Sequence, residues 1–96
     1  MILHTLNASP STSAFYECIK VIRAGDALVL MGDGVYAALQ GTNGCVALQA
    51  KGVDLYLLAP DAKAVGIMNH GEGFTSIDMD GFVTLTETFP RQQAWY

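Results

Sequence analysis

Cys18, Cys45, His4, His70 and Asp33 are the side chains of this sequence whose types and settings suit chemistry. A cysteine attacks only as the thiolate, so a nucleophilic one needs exposure and a lowered pKa. Cys18 shares helical spacing with Phe15, Ile19 and Ile22 and stands two turns into the expected helix, beyond the reach of its dipole. Only Lys20 and Arg23 bring positive charge near it. Those neighbours describe a small buried hydrophobe, yet Cys18 is still the one catalytic candidate in the chain. Cys45 follows Gly44 in an apparent loop, open to oxidation, with no base beside it. The two cysteines make no C-x-x-C and no zinc spacing, so no metal is expected.

Asp33 lies past the end of an apolar strand, where α/β proteins bind ligands. A phospho-acceptor there needs further acids after the first strand to hold a metal, and Leu6-Asn7-Ala8-Ser9 offers none. Asp33 therefore reads as a helix N-cap that, with Gly34, fixes a structural loop. Gly32-Asp33-Gly34 continues into neither G-x-G-x-x-G nor a Walker pattern, so no nucleotide cofactor is expected. His4 sits mid-strand among apolar residues and reads as a packed, hydrogen-bonded imidazole. His70, in a Gly-rich loop, reads as solvated. Neither has an evident carboxylate or serine partner, and a hydrolase triad is not supported.

The elements that must position these residues alternate between strand and helix. Ile2 to Leu6 is a short apolar run ended by Asn7. Ser9 as N-cap and Pro10 at the first helical position open a helix that Gly25 stops. Ala27 to Met31 is apolar throughout, as a strand buried on both faces of a parallel sheet must be. Short helical pieces follow at Val35–Gln40 and Cys45–Lys51, then a strand at Val53–Leu58 and a helix from Pro60 and Asp61 to about Val65. Phe74–Ile77 is a fourth strand. Between Gly81 and Phe89 the β-branched residues favour strand, while Phe82, Leu85, Thr86 and Phe89 fit helical spacing, which tips the reading to a helix capped by Asp78 or Asp80. Gln92–Tyr96 is a terminal edge strand. Such alternation means βαβ units: one α/β domain over residues 1–96, with a mostly parallel four- to five-stranded sheet and helices on both faces.

The chain is 51% apolar and only 15% charged, against about 25% charged in an average protein. A 96-residue domain cannot easily hide that much apolar side chain, so part of it is expected to be covered by another subunit. Phe89, Trp95 and Tyr96 are assigned to that interface, because large aromatics seldom close a chain without something to pack on. Nine acids against five bases, with no basic run, exclude direct binding to nucleic acid. No apolar stretch approaches a membrane span. The first residues have no leader pattern, and the expected location is cytoplasmic with reduced thiols.

The ordered set Leu3-His4-Thr5-Leu6 with Ser9-Pro10, Gly25-Asp26, Asp33-Gly34-Val35-Tyr36-Ala37-Ala38, Leu55-Tyr56 with Asp61, Phe82-Val83-x-Leu85-Thr86 and Gln93-Ala94-Trp95 resembles the TusB/DsrH family along nearly the whole chain. The resemblance implies a three-layer DsrE-like (flavodoxin-like) fold. It also implies a place in a heterohexamer with TusC/DsrF-like and TusD/DsrE-like subunits, which relays persulfide sulfur toward 2-thiouridine at the tRNA wobble position. In sulfur oxidisers the homologous complex serves dissimilatory metabolism. The sulfur-carrying cysteine of these complexes lies in the TusD/DsrE subunit. The DsrH branch also has a cysteine in its first helix, and Cys18 falls at that place. Expressed alone, such a chain is expected to self-associate through its unfilled interface.

Overall fold

Four strands of four or five residues, each followed by a helical segment, and a fifth at the end of the chain generate one parallel sheet in the computed structural model, which describes residues 1–96. The strands are β1 (Leu3–Leu6), β2 (Ala27–Leu30), β3 (Asp54–Leu58), β4 (Phe74–Ile77) and β5 (Gln92–Trp95), in the order β4-β3-β2-β1-β5. All four pairings are parallel, with Leu3 beside both Ala27 and Gln92. The helices are α1 (Ser13–Val21), α2 (Asn43–Gln49), α3 (Ala59–Ala64) and α4 (Met79–Thr88), with a 3-10 segment at Gly32–Ala38.

This strand order makes the two faces unequal. From β1 to β4 the chain steps one way across the sheet, and right-handed crossovers then place every connection on one face. The return from β4 to β5 runs the other way, so α4 alone lies on the opposite face. The packing agrees. Phe15, Cys18 and Ile22 from the α1 region join Leu6, Leu28, Leu30, Leu55 and Leu57 in a core of 17 buried residues, whereas the second cluster buries only Leu3, Ala27 and Val29. Over that smaller cluster lie Phe82, Leu85 and Phe89, none of them fully buried.

Local signals set most boundaries. The segment expected to be a helix over 81–89 is α4, which runs from Met79 to Thr88 with Phe89 as its extended C-cap, and Asp78 is the N-cap: its Oδ1 accepts the Gly81 N–H at 2.8 Å. Thr84 and Thr88 bond back to carbonyls one turn earlier, which spares their hydroxyls a competing conformation. The start of α1 corrects the expectation. Ser9 and Pro10 form a preceding turn, in which the Ser9 carbonyl accepts both the N–H and the hydroxyl of Thr12. Thr12 is the N-cap, with its Oγ1 accepting the Phe15 N–H at 3.3 Å. The helix also ends before Gly25, at Val21, and Gly25 serves the turn into β2 with φ of +96°.

Candidate functional site

In open α/β sheets ligands enter where the strand order reverses, beyond the carboxyl ends of the strands. Here that point lies between β1 and β5, and the chain's own residues fill it. Trp95 stands beside Leu6 in register and packs on the main core, while its carbonyl accepts the Asn7 N–H at 2.9 Å. The 3-10 segment closes over the end of β1, and a Cβ on Gly34 would collide with the Leu6 carbonyl oxygen. Only glycine therefore fits position 34. Asp33 beside it is exposed and makes no capping hydrogen bond, contrary to the N-cap expectation. The carboxylate that holds this loop is Asp61 of α3, whose Oδ2 accepts the Gly32 N–H at 2.7 Å. A cap is usually sought next to its helix, whereas this one comes from 29 residues away. A cleft of about 480 Å³ lies beyond β3 and β4, lined by Leu57, Lys63, His70 and Ser76 among others. His70 is exposed there, with Nδ1 3.1 Å from the Gly71 carbonyl.

Neither thiol is at the surface. Cys18 is fully buried among the apolar side chains of the main core, and burial pushes its thiol up to about 12. Cys45 corrects the reading of an exposed loop cysteine. It lies inside α2, 1% exposed, and its Sγ is 3.9 Å from the Ala38 carbonyl oxygen. Burial raises its pKa as well, partly offset by the N–H groups of Gly71 and Gly41. A Cβ on Gly71 would strike the Cys45 sulfur, so the Gly-rich loop forms a lid directly on it.

The chain's most organised polar cluster was not visible as one in the sequence. His4 is fully buried on β1, and both of its ring nitrogens are bonded. Trp95 donates from Nε1 to His4 Nδ1 at 3.1 Å. A nitrogen that accepts carries no proton, so the proton of the neutral ring sits on Nε2, which donates to Asp26 Oδ2 at 3.0 Å. Asp26 thus supplies the carboxylate partner that His4 was read as lacking. Its other acceptor sites take the Ile2 N–H at 2.9 Å and the Arg23 N–H at 3.3 Å. Burial raises the Asp26 pKa, but the bonds from His4, Ile2 and Arg23 outweigh it and hold the carboxyl below the ordinary aspartate range. Trp95 therefore docks on its own core, half-buried and stacked near His4, with ring centroids 6.3 Å apart. Tyr96 beyond it is 84% exposed, and Phe89 packs half-buried beneath α4.

The sequence profile described as "DsrH like protein" matches residues 8–92. The chain belongs to the DsrH-like family. Its relatives include the protein named TusB of Pectobacterium parmentieri, 41% identical over 95 residues that cover 98% of this chain and all of that protein. The TusB of Escherichia coli K12 is 35% identical over the same span. Among solved structures, the ychN protein of E. coli superposes with a TM-score of 0.77 at 18% identity, covering 97% of each chain. Tm0979 of Thermotoga maritima does so at 0.68 and 22%, covering 92% of this chain and 93% of that one. Both likenesses concern the fold.

The segments that carry the family resemblance converge in this structure. Leu3-His4-Thr5-Leu6, Gly25-Asp26 and Gln93-Ala94-Trp95 supply the three members of the buried polar cluster. The segments holding Asp33-Gly34 and Asp61 meet at the loop over β1. Cys18 touches neither polar cluster through a hydrogen bond, and the family resemblance at its position is not matched by a reactive setting in this chain taken alone.

Proposed function

We propose that this chain is the TusB/DsrH-type subunit of a cytoplasmic sulfur-relay assembly, which passes persulfide sulfur toward 2-thiouridine in tRNA. Its own contribution is to complete the assembly with TusC- and TusD-like partners rather than to carry sulfur. The observation that carries this reading is the contrast between its thiols and its surface. Cys18 is fully buried in the apolar core, and burial pushes its thiol up to about 12, so both access and ionisation disfavour the thiolate that attack on a persulfide needs. The α4 face meanwhile leaves Met79 and Val83 half-exposed beside the partly covered Phe82, Leu85 and Phe89. That is apolar surface suited to a sister subunit. The net charge of −4 agrees with a subunit that meets tRNA only through other proteins.

The test is co-expression with TusC- and TusD-like partners, purification through a tag on this chain and native mass spectrometry. A stable three-protein hexamer is the expected product, and a monomer or homodimer that ignores both partners overturns the reading. Incubating the assembly with a sulfur donor then decides the carrier. Added sulfur is expected on a partner's cysteine. The mass of one sulfur atom gained on Cys18 would transfer the carrier role to this chain.

A further inference from the structure

The polar cluster around His4 has a property that a purely structural hydrogen-bond chain does not need. Both arms depend on the protonation of one ring, and they respond to it in opposite ways. In the neutral ring Nδ1 offers a lone pair to Trp95, and Nε2 offers its proton to Asp26. If Nδ1 takes a proton from solvent, its lone pair becomes an N–H bond. That N–H then faces the indole N–H of Trp95, and two donors cannot bond. The Nε2–H bond to Asp26 survives and becomes an ion pair.

We propose that His4 is a proton-operated latch on the C-terminal strand, closed on Trp95 when the ring is neutral and open when Nδ1 is protonated. The strand it holds has few other anchors. Gln92, Gln93 and Ala94 are exposed, and β5 pairs only with β1 at the edge of the sheet. Trp95 is the one member of β5 that packs into the core. Opening the latch therefore acts on a four-residue edge strand whose remaining ties are its ladder to β1, the packing of a single indole and, at its start, the bond from Gln92 Nε2 to the Thr86 carbonyl at 3.0 Å.

The charged surroundings fit a two-stage response. Asp26 is the only charged group bonded to His4, and it favours charge on the ring. From α1, the Cys18 thiol is uncharged, while Glu17 and Lys20 pair with each other on the exposed side. Arg23 and Arg91 line a cleft of about 260 Å³ that reaches Asp26, and their charge opposes a second proton on His4. Bonds from His4, Ile2 and Arg23 hold the Asp26 carboxyl below the ordinary aspartate range, so the acceptor of the Asp26 arm stays ionised in mild acid.

Trp95 is the only tryptophan in the chain, which makes the latch directly observable. The experiment follows the His4 ring nitrogens, the Trp95 indole N–H and backbone amide exchange by NMR across a pH series on the full-length protein. Exchange rates are corrected for their intrinsic pH dependence. At neutral pH the ring is expected in the Nε2–H form. As Nδ1 gains its proton, the indole resonance shifts with the same midpoint. Exchange from the β1–β5 ladder speeds up about fivefold to tenfold, the equivalent of one hydrogen bond, while β2 and β3 stay protected. Trp95→Phe removes the donor and serves as the permanently open form, so it is expected to lose the pH step in β5 exchange. An indole signal that ignores protonation of Nδ1 overturns the latch. So does a ring that gains no second proton before global unfolding, or a full pH step retained in Trp95→Phe.

Discussion

The two faces of the sheet are built from the same strands and covered to very different degrees. One face carries three crossovers and buries 17 residues in a continuous core; the other carries α4 alone and buries three. The difference follows from strand order, because a right-handed return from β4 to β5 must cross on the side the earlier connections leave empty. Residues that make the fold and residues free to meet a partner are thereby separated by the sheet. The buried thiols and the His4 cluster all lie on the well-covered side. The half-exposed aromatics of α4 lie on the other.

The largest expected effect tests that separation directly. Leu28→Ala removes a fully buried side chain from the main core and should cost about 2–5 kcal/mol in urea unfolding of the isolated chain. Phe82→Ala, on the half-covered face, should cost about 1–2 kcal/mol despite the larger side chain, since much of it already meets solvent. Equal losses would mean that α4 seals its face as completely as the other helices seal theirs. In the partner complex the contrast should invert, with Phe82→Ala reducing the yield of assembled hexamer more than its effect on stability explains.

Asp26 and Cys18 probe the well-covered face with polar chemistry. Asp26→Asn leaves bonds to Ile2, His4 and Arg23 unmade or misdirected, and should cost about 1–3 kcal/mol at neutral pH. The pH dependence has a definite sign. The folded pKa of Asp26 lies below its unfolded value, so its stabilisation is complete above about pH 4 and fades as pH falls through the folded value. Wild type should therefore lose stability on acidification faster than Asp26→Asn does. Parallel curves would show that the carboxylate is no better held in the folded chain than in the unfolded one. Cys18→Ser puts a hydroxyl among apolar side chains and should cost about 1–3 kcal/mol. In the native protein neither thiol should react with iodoacetamide at pH 7 until the chain unfolds, as peptide mass spectrometry would report. Rapid labelling of Cys18 would undo the buried-thiol argument.

What was legible in the sequence depended on distance along the chain. The strands, α1 with its apolar stripe, and α4 follow from periodicity within one segment. The family resemblance needed only ordered short matches. What stayed hidden needed the fold. Asp26 and His4 are 22 residues apart and His4 and Trp95 are 91 apart, so no spacing rule joins them. The same holds for Asp61 and Gly32, which is why the nearer Asp33 read as the cap. Cys45 read as exposed because Gly41–Gly44 is polar. The residues that bury it, Ala38 and Gly71, come from other segments. Ser9-Pro10 misled in another way. Both it and Thr12-Ser13 are acceptable helix starts, and the Ser9 carbonyl, by accepting Thr12, places the start at the second.

The smallest effects concern two of the three helices with a side-chain N-cap, one on each face, and they sharpen the comparison of faces most finely. Thr12 caps α1 and Asp78 caps α4 with the same geometry, a side-chain oxygen accepting an N–H three residues on. Replacing either by alanine should cost its helix about 1 kcal/mol. The cost should appear in different places. α1 is anchored by the fully buried Phe15 and Cys18, so Thr12→Ala should lower the global unfolding free energy. α4 buries no residue fully, so it should open on its own, and Asp78→Ala should accelerate amide exchange across residues 81–88 with little change in the global midpoint. Ser9→Ala should change neither by more than about 0.5 kcal/mol, since the Ser9 backbone carbonyl, not its side chain, receives Thr12. Were Asp78→Ala to lower global stability as much as Thr12→Ala, α4 would unfold only with the rest of the chain, and its face would have to be counted as part of the core.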